Sequence, residues 1–212
     1  MSKWDGVPLR SKRMQILARR AVITLTAIFL SFLALLVELR PNSAREDAEQ
    51  YLVLSDYLSQ GLTGDSHSLG DRAGMAVIDG STRGGWRRSV FLIATFSHAR
   101  QNSRLSSLVP LVNLLTSNVR SEKFQKSFVL PARYELMTES ESMLYPYEAF
   151  EKRFPGNYGY HTFTRIGFNR DLTEAVFYTE HMCGLCGEGK YVYMRKEEGK
   201  WVVIGTASTW VS

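Results

Sequence analysis

Seventeen consecutive uncharged residues, Ala21 to Val37 (AVITLTAIFLSFLALLV), constrain this chain more than any other stretch. Eleven of them are Val, Ile, Leu or Phe and the rest are Ala, Ser and Thr, so a helix through them is apolar on every side. A soluble domain could bury such a helix only inside an unusually large core. At about 1.5 Å per residue the run covers roughly 25 Å, and a slight extension brings it to the ~30 Å of a bilayer core. The sequence therefore predicts a transmembrane signal anchor over residues 21–39. A cleavable signal peptide ends in a small-x-small site, whereas this run ends in Leu36-Val37-Glu38-Leu39-Arg40-Pro41, and Asn42-Ser43-Ala44 puts Asn where a small residue is wanted. The only cysteines, Cys183 and Cys186, lie far from any N-terminal lipid-attachment site.

Charge sets the expected direction. Residues 1–20, a basic cytoplasmic tail, carry Lys3, Arg10, Lys12, Arg13, Arg19 and Arg20 against Asp5 alone. Just beyond the run, Arg40 and Arg45 stand among Glu38, Glu46, Asp47 and Glu49. Positive residues stay on the cytoplasmic side, which sends residues 42–212 to the periplasm or extracellular space. The chain has 26 basic and 21 acidic residues, and the tail holds six and one of these, so the exported part carries 20 of each. That removes the case for nucleic acid, which the overall pI near 9.2 would otherwise suggest.

The exported part reads as a single α+β domain. Ser43-x-x-Glu46 is a capping box opening a helix through about Gln60, with Ala44, Ala48, Tyr51, Leu52, Ser55 and Leu58 as its apolar stripe. Residues 61–74 read as a loop, and Met75–Asp79 and Ser89–Phe96 as short buried strands around a Gly80–Trp86 connection. Residues 105–118 are predicted helical with Pro110 marking a start or kink, Val129–Met137 a strand, and Glu139–Phe154 a helix. Phe163–Asn169, Ala175–Met182, Lys190–Lys196 and Trp201–Ile204 are β-branched and aromatic segments divided by turn residues, the pattern of an antiparallel β-meander packed with helices.

Several short motifs punctuate this C-terminal part. They are Gly167-Phe168-Asn169-Arg170-Asp171 with Thr173 and Ala175, Cys183-Gly184 with Cys186-Gly187-Glu188-Gly189-Lys190-Tyr191, Gly199-Lys200-Trp201, and Thr209-Trp210-Val211-Ser212. Over residues 130–212 they resemble a bacterial family of membrane-anchored or exported proteins with no assigned reaction. The resemblance implies an exported α+β domain on a membrane anchor and no particular chemistry; relatives more often space the two cysteines one residue further apart. Read on their own, Asn169 and Asp171 suit a turn, Gly199 suits positive φ in a hairpin, and Trp201 and Trp210 supply large buried area.

Cys183-Gly-Leu-Cys186 is the one arrangement with a reactive meaning. In an oxidising compartment it reads first as a local disulfide. A redox pair would place Cys183 at a helix N-terminus, and a metal site would need to recruit His161 and His181. No cofactor and no metal is assigned. Gly64-Asp65-Ser66-His67 echoes the nucleophile block of some serine esterases but follows no hydrophobic strand, and His98 reads as structural. Arg83, Trp86, Arg87 and Arg88 form a basic, aromatic-bearing segment suited to anionic headgroups or glycans. The expectation is a membrane-tethered, non-catalytic domain that binds a protein or envelope ligand through its C-terminal sheet, with a thiol-disulfide redox protein as the alternative.

Overall fold

The computed structural model describes residues 43–63, 75–138, 140–141, 147–157, 159–183 and 186–212. The apolar run and its basic flank lie outside these residues, as do Ser66 and its neighbours in the expected 61–74 loop. Among the described residues no helix is long and apolar enough to cross a membrane. Residues 41–212 form one compact unit, and its architecture is α+β with a mixed seven-stranded sheet.

The elements in chain order are α1 (Ser43–Thr63), β1 (Met75–Thr82), α2 (Trp86–Ala94), α3 (Phe96–Gln101), α4 (Val109–Ser117), β2 (Arg133–Met137), α5 (Tyr147–Arg153), β3 (Tyr160–Phe163), β4 (Gly167–Phe168), β5 (Glu174–Met182), β6 (Glu188–Glu197) and β7 (Lys200–Val211). The sheet order is β2-β1-β3-β5-β6-β7, with β4 pairing β5 off this path. The expected meander is present as β5-β6-β7, every pair antiparallel. The segment expected as its first strand, Phe163–Asn169, is split instead. β3 ends at Phe163, β4 holds only Gly167 and Phe168, and both lie on the other side of β5.

The largest correction concerns Ser89–Phe96, expected as a strand and found in α2 and the start of α3. β1 lies between β2 and β3 and is parallel to both, so it offers no edge to a hairpin partner. Parallel neighbours need a long crossover, and helices supply it because they satisfy their own backbone groups. Leu92, Phe96 and Ala99 then fall at helical spacing on the packed side. α4 agrees with the expected helix, with Pro110 in its first turn where a missing N–H costs nothing. Val129–Met137 is a strand only from Arg133, and the helix expected from Glu139 is described as such only at Tyr147–Arg153.

Two apolar layers enclose the sheet. On one face α1 packs Val53, Leu54 and Leu58 with Phe163, Phe177, Val192 and Trp201. On the other, α2–α4 pack Leu92, Ala99, Leu111 and Leu114 against Val176, Tyr178, Tyr191 and Tyr193, while Phe150 of α5 and Phe154 just after it cover Val77 and Met137. The buried face of α1 is turned from the expected stripe: Ala48 and Leu52 are exposed, and Gln50, Val53 and Leu54 are buried. The helix has two neighbours to satisfy. Tyr57 sits edge-on to Phe163 and Phe177 of the sheet, while Tyr51 packs on Phe124 and Phe128 of the crossover. α1 also runs past the expected stop at Gly61, its last turn held by Gln60, whose amide donates to the Trp201 carbonyl and accepts from the Val203 N–H.

Candidate functional site

The C-terminal motifs gather in two groups at opposite ends of the β5-β6-β7 meander, and the contacts they make are structural. Asn169 closes the β4–β5 connection: its Oδ1 accepts from the Thr173 N–H at 2.8 Å and the Glu174 N–H at 3.0 Å, while its Nδ2 donates to Thr173 Oγ1. Glu174 is buried, and its carboxylate accepts from the Ser106 amide and hydroxyl and from Arg195. Burial opposes ionisation there, yet the Ser106 and Arg195 hydrogen bonds win and hold the carboxyl below its ordinary range. Glu198 and Gly199 both have positive φ, making the two-residue β6–β7 turn that the strand twist favours. Trp201 is buried, donating Nε1–H to Glu49 at 2.6 Å, whereas Trp210 is half-buried.

Trp210 explains the glycines after the cysteines. A Cβ on Gly189 would come 2.1 Å from Trp210 Nε1 and 2.2 Å from Tyr178 Oη, so only glycine fits beneath the indole. Ser212 pairs with Gly187 through its amide and hydroxyl, fastening the chain's last strand to the cysteine hairpin. Within that hairpin Cys183 and Cys186 stand at disulfide distance, Cα atoms 5.3 Å apart. Cys183 is buried and Cys186 exposed, and both follow strand β5 rather than open a helix.

His161 and His181 face each other across β3 and β5 with stacked rings 4.7 Å apart. Burial lowers both pKa values; each ring also feels Lys190, and Glu188 pulls His181 the other way. The buried Nδ1 of His161 has no hydrogen-bond partner among the described residues. No group of three or more His, Cys, Asp or Glu among the described residues is placed to hold a metal ion, so the histidines and cysteines do not converge. His98 lies exposed on α3 and donates Nε2–H to the Ser208 carbonyl on the outer strand β7. Asp56 and Gln60 occupy backbone groups of Trp201 and Val203 on that strand. These contacts occupy backbone groups of Trp201, Val203 and Ser208 along the outer strand, while most of β7 stays half-buried or exposed.

The basic segment divides. Arg83 reaches back to buried Asp79 at 2.6 Å; burial raises the Asp79 pKa and Arg83 counters it. Arg88 grips Glu180 with two bonds, 3.1 and 2.9 Å, and lies over the rings of Phe91 and Tyr178. Trp86 and Arg87 remain outside, the guanidinium 5.7 Å from the indole centroid and Trp86 72 % exposed. Two further residues of α2, Val90 and Ile93, are exposed on the same side at spacings of four and seven from Trp86, and Val119 is exposed beside them. Sequence reasoning placed Val90 and Ile93 in a buried strand and so missed this surface. A readable signal existed: residues 80–121 contain six arginines and no Asp, Glu or Lys. Compared with protein-family models, with curated proteins and with solved structures, the chain matches none.

Proposed function

We propose that this chain is a non-catalytic binding domain, held at the outer face of a membrane by its N-terminal apolar run and offering the exposed side of α2 to its ligand. The observation that carries the reading is Trp86, Val90, Ile93 and Val119 standing uncovered on a helical layer with no acidic residue. Elsewhere the chemistry-bearing side chains serve the fold: Glu174, Glu180 and Asp79 are each held by an arginine. The cysteine pair at disulfide distance agrees with export, because such bonds persist in oxidising compartments. The resemblance of the C-terminal motifs to anchored or exported proteins points the same way. A reporter fused to the C-terminus is expected to be active only outside the cytoplasm, and activity of a cytoplasm-only reporter there would overturn the topology.

One observation favours a thiol-disulfide function: Cys186 is exposed and open to attack by a thiol. Replacing both cysteines with Ala separates the readings. A staple closing so short a loop contributes about 2 kcal/mol at most by chain entropy, so the double variant should unfold at lower denaturant with ligand binding intact. Loss of turnover on a disulfide substrate would instead establish the redox function.

A further inference from the structure

The exposed side of α2 is suited to one kind of partner in particular, and the inference rests on the tethered reading above. Trp86, Val90 and Ile93 follow one helix face, 72, 55 and 62 % exposed, and Val119 adds a fourth apolar side chain, 61 % exposed. Val119 is held there because the carbonyl of its neighbour Asn118 accepts from the Gly85 N–H and the Ser89 hydroxyl at the start of α2. Arg87 and Arg120 flank the patch, and among the described residues neither has an ion-pair partner. An indole with aliphatic side chains, flanked by two guanidinium groups on a segment without acidic residues, has the amphipathic chemistry of a bilayer interface.

The start of α2 is tied into the rest of the domain. In the first turns of α1, Asp47 pairs with Arg165 at 3.1 Å, and Arg165 also pairs with Glu122. The Glu122 amide donates to the Thr82 hydroxyl, and the Gly84 amide donates to the Ser121 hydroxyl, one residue pair before Trp86. This short relay joins the start of α1 to the start of α2.

We propose that Trp86, Val90, Ile93 and Val119, with Arg87 and Arg120, dock onto the anionic headgroup layer of the membrane that tethers the chain. The tether alone would leave the domain free to tumble; this second contact fixes its orientation and turns the opposite face outward. The arginines supply an attraction that salt screens, and the apolar side chains supply one that it does not.

The test uses the full chain reconstituted into vesicles of phosphatidylcholine alone or mixed with phosphatidylglycerol. A nitroxide at Val90→Cys reports access to oxygen dissolved in lipid against access to a nickel chelate in water; the same label at Val211→Cys, exposed on the β7 edge, is the reference. In anionic vesicles the Val90 label should become lipid-accessible while the Val211 label stays in water. Arg87→Glu with Arg120→Glu should lower the docked fraction at least about fivefold per arginine, as raised salt should to a lesser degree. Equal water access at both labels in anionic vesicles would overturn the docking, as would a Val90 label shielded from water and lipid alike, the mark of a protein partner. Alkaline extraction reads the tether separately. If it releases the chain, flotation of the same protein with anionic vesicles decides the docking: binding lost in the double arginine variant upholds it, and no binding ends it.

Discussion

The two halves of the sheet differ in how completely their side chains are used. In the β5-β6-β7 half each strand pairs with its sequence neighbour, β5 and β6 are largely buried on both faces, and polar groups such as Glu174 and Asn169 are saturated by nearby partners. In the other half the strands β1 and β2 are parallel, and the chain between them must make a long helical excursion. That excursion carries the exposed apolar residues of α2 and four arginines that form no ion pair among the described residues, Arg87, Arg100, Arg104 and Arg120. The contrast teaches that the crossover leaves three apolar side chains of one helix uncovered, where the inner strands of the meander spend theirs on the core.

The sharpest way to break this comparison is to truncate a tryptophan in each half. Trp201→Ala should cost about 3–5 kcal/mol, because it empties a site against Phe168 and leaves Glu49 with Lys196 alone of its two donors, whereas Trp86→Ala should stay within about 0.5 kcal/mol. Denaturant unfolding measures both, and similar costs would mean that α2 is not a free surface. A pair of neighbouring arginines gives a smaller contrast. Arg88→Ala removes both bonds to half-buried Glu180 and should cost about 1.5–3 kcal/mol, while Arg87→Ala should be nearly silent in stability.

The smallest expected effect sharpens the comparison at the far end of β5. His161 and His181 have pKa values below the ordinary 6.5, so the folded state keeps them neutral while the unfolded chain takes up protons. Their contribution is fully present above about pH 6.5 and is lost as pH falls toward the folded values. The thermal midpoint should therefore drop between pH 7 and 5, and His161→Phe should flatten that slope. An unchanged slope would assign the acid sensitivity to other groups.

Legibility followed the range of the interactions. The meander, the Asn169 turn and the Gly199 hairpin were readable because each depends on residues a few positions apart, where turn chemistry and β propensity act directly. Ser89–Phe96 was misread because a short apolar run rich in β-branched and aromatic residues suits a strand as well as a packed helix. Only the parallel neighbours of β1 decide between them. The split of the basic segment was equally hidden, since Asp79 is four residues from Arg83 but Glu180 is 92 from Arg88.

By itself the sequence determined the α+β class, the hairpin turns and the cysteine spacing that lets Cys183 and Cys186 meet, all consequences of local geometry and composition. It also set the balance of charge, 20 basic against 20 acidic residues beyond residue 20. Tertiary structure alone decided which charges are spent and which remain, and which apolar residues stay uncovered. Those outcomes depend on partners brought together from distant parts of the chain, and pairing and burial across such distances leave no local pattern.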